Sequence, residues 1–258
     1  MSVNTGRVLN DKSTDPNYGL ALDHALLLLN PKSKYPATIR FWRNPCSVIL
    51  GRGQTLSEEV NQTFCREHKI PIARRITGGG TVYHDEGNIN ISLFIPKSAL
   101  EQPNDVKRTT SLFTNLLKES IEMTGIKEIH VDDSNNLLYQ DHKVSGAAAY
   151  FTRETILHHS TLLLSVDLEK LEGSLIHNIE PRRGRSKYKP TTNLKGLQSE
   201  NWKKKYVKLL GEKFKLNFLP GNLTLEESAL ATKLRNTIYI NPNWINNGER
   251  PIDQMSVN

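Results

Sequence analysis

Cysteine is scarce in this sequence, and long hydrophobic runs are missing. Two of the 258 residues are cysteines, Cys46 and Cys65, so there is no disulfide framework, and no Cys/His cluster has zinc-site spacing. The longest apolar stretch, residues 20–29, is interrupted by Asp23 and His24 and is shorter than the roughly 20 residues that cross a membrane. These absences predict a soluble protein with reduced thiols and no membrane partner.

Targeting signals are also missing from the sequence. Residues 1–16 have neither the apolar core of a signal peptide nor the arginine-rich, acid-poor composition of a mitochondrial presequence, so we expect a cytoplasmic protein. The net charge of +7, with an isoelectric point of about 9.3, favours an acidic partner or phosphate-bearing ligands. Residues 182–189 concentrate positive charge and fit a solvated loop better than a ligand contact. No nucleic-acid partner is expected, because aromatic interleaving and binding motifs are missing.

Hydrophobic patterning predicts an α+β fold. The 37% hydrophobic content supplies a sizeable core, and no internal repeat, low-complexity tract or linker divides the chain. Helices are predicted at residues 16–30, 55–69, 106–123, 202–214 and 225–236, and strands at 39–42, 47–50, 88–96, 128–131, 137–139, 143–150 and 156–166. Asp15 resembles an N-cap followed by Pro16 in the first helical turn, and Thr55 with Glu58 forms a possible capping box. The first half of residues 88–96 alternates polar and apolar residues, so Ile89, Ile91 and Leu93 are expected to face the core and the polar residues to face a site. We therefore expect one domain over residues 1–258, with a mixed β-sheet core and flanking helices.

The segment ARRITGGGTVYHDEGN, residues 73–88, indicates a phosphate site. Consecutive glycines let backbone N–H groups converge on an anion, and Arg74 and Arg75 add bidentate donors beside them. The residues after the glycines favour a strand, so neither a dinucleotide fingerprint nor a P-loop fits. Taken locally, a tight hairpin with solvated arginines is the alternative.

Two further segments carry candidate functional side chains. In DHKVSGAAA, residues 141–149, small residues follow Lys143 and leave room for a ligand to approach, although a lone lysine is more often a surface residue. His158 and His159 precede an apolar strand and could be core residues, ligand donors or metal ligands. A metal site is the least favoured of these, because no acid or cysteine lies at a supporting spacing.

Taken together, these segments resemble a known family. RRITGGGTVYHDEGN, NNLLYQDHKVSGAAA and HHSTLLL, in that order and spacing, are similar to the lipoate-protein ligases of the biotin/lipoate ligase superfamily. The upstream FWRNPCSVILGRGQ and the downstream KPTTNL extend the resemblance over residues 20–241. The resemblance implies a biotin/lipoate ligase-like catalytic domain that converts lipoate and ATP to lipoyl-AMP and transfers the lipoyl group to a lysine of a lipoyl domain.

The resemblance also implies roles for particular residues. Lys143 would be catalytic, bridging the substrate carboxylate and the α-phosphate. The lipoyl group and its adenylate would contact Arg74, Arg75, Gly78, Gly79, Asn135, Lys143 and His159, and ATP would contact Arg75, Gly80, Thr81, Val82, Tyr83 and Lys143. Mg²⁺ would be held through the phosphates, with no direct protein ligand assigned.

The sequence departs from the family in two places. Relatives carry a serine and an arginine where this chain has Ala147 and Tyr150, with Arg153 close by. After IYINPNWINNGE only a short tail remains, so we expect the small C-terminal accessory domain to be absent and a separate accessory subunit to replace it. The expected targets are the acidic lipoyl domains of 2-oxoacid dehydrogenase E2 subunits or the glycine cleavage H protein.

Other activities are open at this level. A lipoyl or octanoyl transferase that uses a preformed acyl donor is the main alternative. A transferase that forms a thioester is disfavoured, because residues 131–136 contain no cysteine and Cys46 and Cys65 lie far upstream. Biotin ligation is disfavoured because GRGQTLSEE does not match the glycine/arginine loop of biotin ligases.

Overall fold

The computed structural model describes residues 5–177, 188–197 and 199–249. The strands are β1 (Thr5–Asn10), β2 (Thr38–Trp42), β3 (Ser47–Leu50), β4 (Ile72–Arg74), β5 (Val82–His84), β6 (Asn88–Pro96), β7 (Ile129–Val131), β8 (Leu137–Tyr139), β9 (His142–Ser145), β10 (Ala147–Phe151), β11 (Thr155–Leu163) and β12 (Asn217–Pro220). The helices are α1 (Pro16–Leu29), α2 (Leu56–Glu59), α3 (Gln62–Glu67), α4 (Val106–Glu122), α5 (Leu168–Ser174), α6 (Ser199–Phe214), α7 (Leu225–Leu234) and α8 (Pro242–Asn247).

A six-stranded sheet forms the centre of the fold. Its strand order is β10-β11-β6-β2-β1-β12, in which β1 runs parallel to both neighbours and the other pairs are antiparallel. Two three-stranded sheets, β4-β3-β5 and β7-β8-β9, flank it. The predicted α+β architecture with a mixed sheet is confirmed, whereas the single-domain assignment over residues 1–258 stays a prediction.

Strand β6 separates the core from the polar side of the sheet. Its alternate residues Ile89, Ile91 and Leu93 join a hydrophobic cluster that includes Phe113 of α4 and Trp202 of α6. Because successive strand residues point to opposite faces, the intervening residues Asn88, Asn90 and Ser92 lie on the other side of the sheet, where they are also buried. The predicted alternation of β6 is therefore confirmed, and it leaves a polar surface inside the protein.

Strand register brings distant residues into two rows on this polar side. Trp42, Asn90 and Thr161 are paired across β2, β6 and β11. The second row lies two positions further along the same strands and consists of Arg40, Ser92 and His159. Ala148 of β10 extends this row, because it pairs with His159. Neighbouring strands lie about 4.8 Å apart, so each row spans several side chains within one continuous floor.

Several elements differ from the sequence prediction. The helix expected over residues 55–69 is two helices, because the chain extends at Val60 and α3 starts anew with Asn61 as its N-cap. The Thr55 side chain makes no cap hydrogen bond, so the predicted capping box is wrong. The strand expected over residues 143–150 is divided at Gly146, which places β9 and β10 in different sheets. The strand favoured by the residues after the glycines is confirmed as β5. The short strands β1, β4 and β12 were not predicted, because three to six residues give little periodicity.

The N-terminal strand is tied to the C-terminal part of the chain. β1 pairs with β12, and the buried Arg7 guanidinium donates to both carboxylate oxygens of Glu227 on α7, at 2.9 and 2.6 Å. Within the part of the chain that is described, no helix is long and apolar enough to span a membrane. Residues 182–187 of the basic segment, and the tail beyond residue 249, lie outside that part.

Candidate active site

Two cavities meet beside Lys143. The larger, of about 400 Å³, lies on the polar side of the central sheet, and the smaller, of about 120 Å³, is bounded by α5 and residues 188–191. Both are lined by Thr81, Val82, Lys143 and Thr161. The lysine therefore lies at the junction of two spaces that could each hold part of a substrate.

The backbone around Lys143 fixes this side chain at the junction. Its N–H donates to the carbonyl of Pro190 at 2.8 Å, and its carbonyl accepts from the N–H of Thr192 at 3.0 Å. The side chain lies over Gly146, where an added methyl group would come within 3.1 Å of both Cε and Nζ. Gly146 thus makes room for the ammonium group, as the run of small residues in the sequence suggested.

Burial tunes the charge of Lys143. Loss of solvation is the main cause that lowers the pKa of Lys143 to about 8, the carboxylate of Asp132 opposes it, and the positive charges of Arg75 and Lys189 reinforce it. The ammonium group is charged at neutral pH but sheds its proton far more easily than an exposed lysine. Together with the charged Lys143, the positive charges of Arg75 and Lys189 favour a negatively charged ligand at this junction.

Arg75 shapes the glycine turn. Its Nη2 donates to the carbonyls of Gly78 at 2.6 Å and Gly80 at 2.8 Å, and its Nε donates to Thr77 Oγ1 at 2.9 Å. Gly79, between the two accepting carbonyls, has a φ of 86°, which glycine adopts without steric cost. Burial, together with the nearby charge of Arg74, lowers the pKa of Arg75 to about 10, so the guanidinium stays charged at neutral pH. Arg75 therefore holds the turn from behind while its charge faces the larger cavity.

Arg74 points away from the cavities, because consecutive strand residues face opposite sides. Its fully buried guanidinium donates to five backbone carbonyls, those of Gly51, Arg52, Gln54, Ile245 and Asn246. It lines neither cavity. In this structure Arg74 joins α8 and residues 51–54 to the strand that leads into the glycine turn.

Replacing Arg74 should destabilise the protein. Arg74→Met removes the donor from five carbonyls, of which those of Gly51 and Gln54 are buried. We expect a loss of about 3 kcal/mol in the free energy of unfolding, since each unsatisfied buried group costs about 1–3 kcal/mol. Urea denaturation measures this loss. Arg52→Met, on the exposed part of the same loop, should change the free energy by less than about 0.5 kcal/mol. Equal stabilities of the two variants would contradict the bracing role of Arg74.

His159 belongs to a chain of hydrogen bonds at the cavity wall. Its Nε2 lies 2.7 Å from Thr77 Oγ1, and its Nδ1 lies 3.5 Å from the buried carboxylate of Asp23 on α1. Because the Asp23 carboxylate can only accept, Nδ1 of the neutral ring carries the hydrogen, and Nε2 accepts from the Thr77 hydroxyl, which in turn accepts from Arg75 Nε. Burial lowers the pKa of His159, against the opposing effect of Asp23, so the ring is neutral at neutral pH. His158 lies on the opposite face of the sheet, 5.0 Å from the ring of Phe113.

Asn136 lines the larger cavity, whereas its neighbour Asn135, the predicted site residue, lines neither. Asn135 has a φ of 59°, and the buried Asn136 donates to Asp132. Burial alone would raise the pKa of Asp132, but the Lys189 ammonium and the N–H groups of Asn136 and Ser134 lower it to about 2. The Asp132 carboxylate is therefore ionised at neutral pH, and it supports Asn136 and Lys189 beside the lysine junction.

The structure brings most of the predicted site residues together. The larger cavity is lined by Arg75, Gly79, Gly80, Thr81, Val82, Lys143 and His159, and Tyr83 lines the smaller one. Arg74, Gly78 and Asn135 line neither. Sequence reasoning missed Trp42, His84, Asn90 and Asn136 as cavity residues. Only Asn90 carried a signal, since it belongs to the polar alternation of β6.

The site suits a metal ion that is carried mainly by phosphates. No group of three or more His, Cys, Asp or Glu side chains that could hold a metal is found in residues 5–177, 188–197 and 199–249. Oxygen atoms that could bind a metal ion do lie at the junction, in the side-chain amide of Asn136 and in the ionised carboxylate of Asp132 behind it. Mg²⁺ is commonly bound by one or two such groups together with substrate phosphates, so these residues fit that ion.

Two contiguous cavities therefore meet at one half-buried lysine. The same arrangement of strands and helices occurs in lipoate ligases. A structure of a bi-partite lipoate protein ligase and its E2 lipoyl domain from Thermoplasma acidophilum has a TM-score of 0.81 at 24% identity, covering 96% of this chain and 98% of that chain. A lipoate-protein ligase A bound with ATP has a TM-score of 0.79 at 24% identity, covering 93% and 98%.

The chain belongs to the lipoyl protein ligase A/B catalytic domain family, whose sequence model matches residues 15–209. It is 33% identical over 182 residues to lipoate-protein ligase 1 of Staphylococcus aureus, which is 70% of this chain and 52% of that protein. It is 34% identical over 169 residues to the mitochondrial lipoyl amidotransferase of Homo sapiens, which is 64% of this chain and 43% of that protein. The chain thus spans about half the length of these relatives. The resemblance stated from the sequence motifs is confirmed.

Proposed function

We propose that this protein is an ATP-dependent lipoate-protein ligase, which forms lipoyl-AMP and transfers the lipoyl group to a lysine of a lipoyl domain. The observation that carries the proposal is the position of Lys143 at the junction of the two cavities. In this reaction a carboxylate must meet the α-phosphate of ATP, and the two anions repel each other. A fixed ammonium group between them stabilises the negative charge that develops in the transition state.

The larger cavity fits the acyl chain. Its floor runs from Thr161 beside Lys143 across Asn90 to Trp42, a distance of about 10 Å for two strand spacings. Ala147 and Ala148 leave space along this path. Each methylene buried there contributes about 0.8 kcal/mol, so a medium-length chain can be held largely by its hydrocarbon.

The smaller cavity fits the nucleotide side of the reaction. It is lined by apolar residues such as Leu163 and Leu171 together with Tyr83, and it shares Thr81 and Val82 of the glycine segment with the acyl cavity. The charges of Lys143 and Lys189 lie at this side. Mg²⁺, held by the phosphates and the oxygen donors at Asn136, would supply further positive charge when bound.

The protein substrate is an acidic lipoyl domain of a 2-oxoacid dehydrogenase E2 subunit or of the glycine cleavage H protein. The net charge of +7 favours association with an acidic surface. A separate small accessory subunit completes the enzyme; its support is the similarity, over 98% of that chain, to a protein described as bi-partite together with its E2 lipoyl domain. The cytoplasmic location expected from the sequence stays a prediction.

A lipoylation assay tests this function. The chain is incubated with an E2 lipoyl domain and either lipoate with Mg²⁺ and ATP or preformed lipoyl-AMP, with and without a candidate accessory protein, and the domain is weighed by mass spectrometry. We expect the lipoyl mass on one lysine, together with pyrophosphate release in the ATP reactions. No labelled domain in any combination would refute the proposal.

A lipoyl transferase that uses a preformed donor is the second candidate. It is favoured by the 34% identity to a protein named lipoyl amidotransferase. The same assay separates the two, because a transferase labels the domain from lipoyl-AMP but releases no pyrophosphate from lipoate and ATP, even with the accessory protein present.

A further inference from the structure

The far end of the acyl cavity is polar. His84 is buried and lines the cavity beside Trp42, with the two rings edge to face and their centroids 6.4 Å apart. Its Nδ1 lies 3.0 Å from the amide Nδ2 of Asn44, which can only donate, so Nδ1 accepts and Nε2 carries the ring hydrogen. Nε2 is buried and has no hydrogen-bond partner among the described residues.

A second buried donor lies in the same part of the cavity. Asn90 is 3% exposed, and its Oδ1 accepts from Asn88 Nδ2 at 3.0 Å. Its Nδ2 therefore remains as a donor, and it has no partner in the part of the chain that is described. Asn90 is the register partner of Trp42, which places this amide and the His84 ring beside the same indole.

Two buried hydrogen-bond donors beside an aromatic ring determine which kind of acyl-chain terminus binds there. An unpaired buried donor is unfavourable, so the site discriminates against a hydrocarbon terminus, which accepts no hydrogen bond. Sulfur accepts weakly, is polarisable and makes favourable contacts with aromatic rings. We propose that His84 and Asn90 recognise the dithiolane sulfurs of lipoate, and that this pair makes the enzyme prefer lipoate to octanoate. This inference rests on the proposed function and adds which of the two acids the enzyme prefers.

The charge state of His84 is consistent with this role. Burial, reinforced by the positive charge of Arg75 and by His159, lowers the pKa of His84 to about 3. The ring is therefore neutral over the whole working range of pH. It acts as a neutral donor, which suits a neutral sulfur ring better than a charged end group.

Competition between the two acids tests the proposal. Lipoylation and octanoylation of one lipoyl domain are measured with Mg²⁺ and ATP, and kcat/KM is determined for each acid. We expect the unmodified protein to favour lipoate, and His84→Leu to lower the ratio of lipoate to octanoate by at least about fivefold, as the loss of a neutral hydrogen bond implies. Asn90→Ser should lower it in the same direction, and His84→Gln, which restores a donor, should recover most of it.

His158 provides a matched control. Like His84 it is buried, has an Nε2 without a partner among the described residues and has a pKa lowered to about 3 by burial, but it faces Phe113 on the other side of the sheet. His158→Leu should keep the selectivity ratio. If the unmodified protein transfers both acids and the ratio is unchanged in both His84→Leu and Asn90→Ser, the inference is wrong while the proposed function stands. If no acid or acyl-adenylate is transferred under any condition, both are wrong.

Discussion

Replacing Lys143 with methionine should abolish most of the adenylation activity while the protein stays folded. Methionine preserves the length of the side chain over Gly146 but removes the charge between the two cavities. Removing a single preorganised donor from a comparable site lowers kcat by about 10²–10³-fold. The rate of lipoyl-AMP formation, detected as pyrophosphate release, measures the effect. The melting temperature shows whether the fold is retained.

Two comparisons make the Lys143 result specific. Lys118→Met, which removes a half-buried lysine paired with Glu122 on α4, away from both cavities, should leave the rate unchanged. Lys143→Arg should not restore activity, because the end of the lysine already lies so close to Gly146 that a methyl group added there would come within 3.1 Å of Nζ, and a guanidinium is bulkier. Since the pKa of Lys143 is about 8 and the charged form is required, kcat/KM for adenylation should fall as the pH rises through about 8. A rate for Lys143→Met within tenfold of the unmodified enzyme, or a flat profile between pH 7 and 9, contradicts the role.

Replacing Gly51 with alanine should disable the site through the glycine turn. The added methyl group would overlap the carbonyl of Gly79 and lie 3.2 Å from Nη2 of Arg75. Both are backbone or rigidly bonded groups, so the turn must move. Overpacking of this kind costs about 1–3 kcal/mol of stability, and misplacing reacting groups by about 1 Å can lower the rate about 10²-fold. We therefore expect a loss of about 10²-fold in kcat/KM for lipoyl-AMP formation.

Gly53 offers a control within the same loop. A methyl group there meets no atom within 4 Å, and the residue is exposed. Gly53→Ala should therefore retain both activity and stability. Comparable losses in the two variants would mean that the loop needs flexible glycines in general, and not the close approach of Gly51 to the turn.

Local signals in the sequence were sufficient to predict the longer helices and strands. Asp15 caps α1 as predicted, with its carboxylate accepting from the N–H of Asn17, and Pro16 occupies the first turn. The polar alternation of β6 correctly indicated which residues face away from the core. Each of these features depends on neighbours within one element, where period and capping chemistry are readable.

Which residues line the site could not be predicted in full, because it depends on how separate strands and helices pack together. Trp42 and Asn90 are neighbours only because β2 pairs with β6 in one register, which no local pattern determines. Arg74 and Arg75 are adjacent and chemically identical, yet one braces α8 and the other lines the cavity. Asn135 and Asn136 present the same difficulty, since the positive φ of Asn135 decides which amide faces inward.

The family match, residues 15–209, leaves out several elements that contact the matched region. β1, β12, α7 and α8 all lie outside it, but Arg7 joins β1 to α7 through Glu227, and the carbonyls of Ile245 and Asn246 hold Arg74 beside the glycine turn. A fragment trimmed to residues 15–209 would lose both β1 and β12, which pair with each other. It would also lose α8 and the carbonyls that hold Arg74 behind the glycine turn. Domain boundaries drawn from sequence likeness alone would therefore cut through the support of the active site.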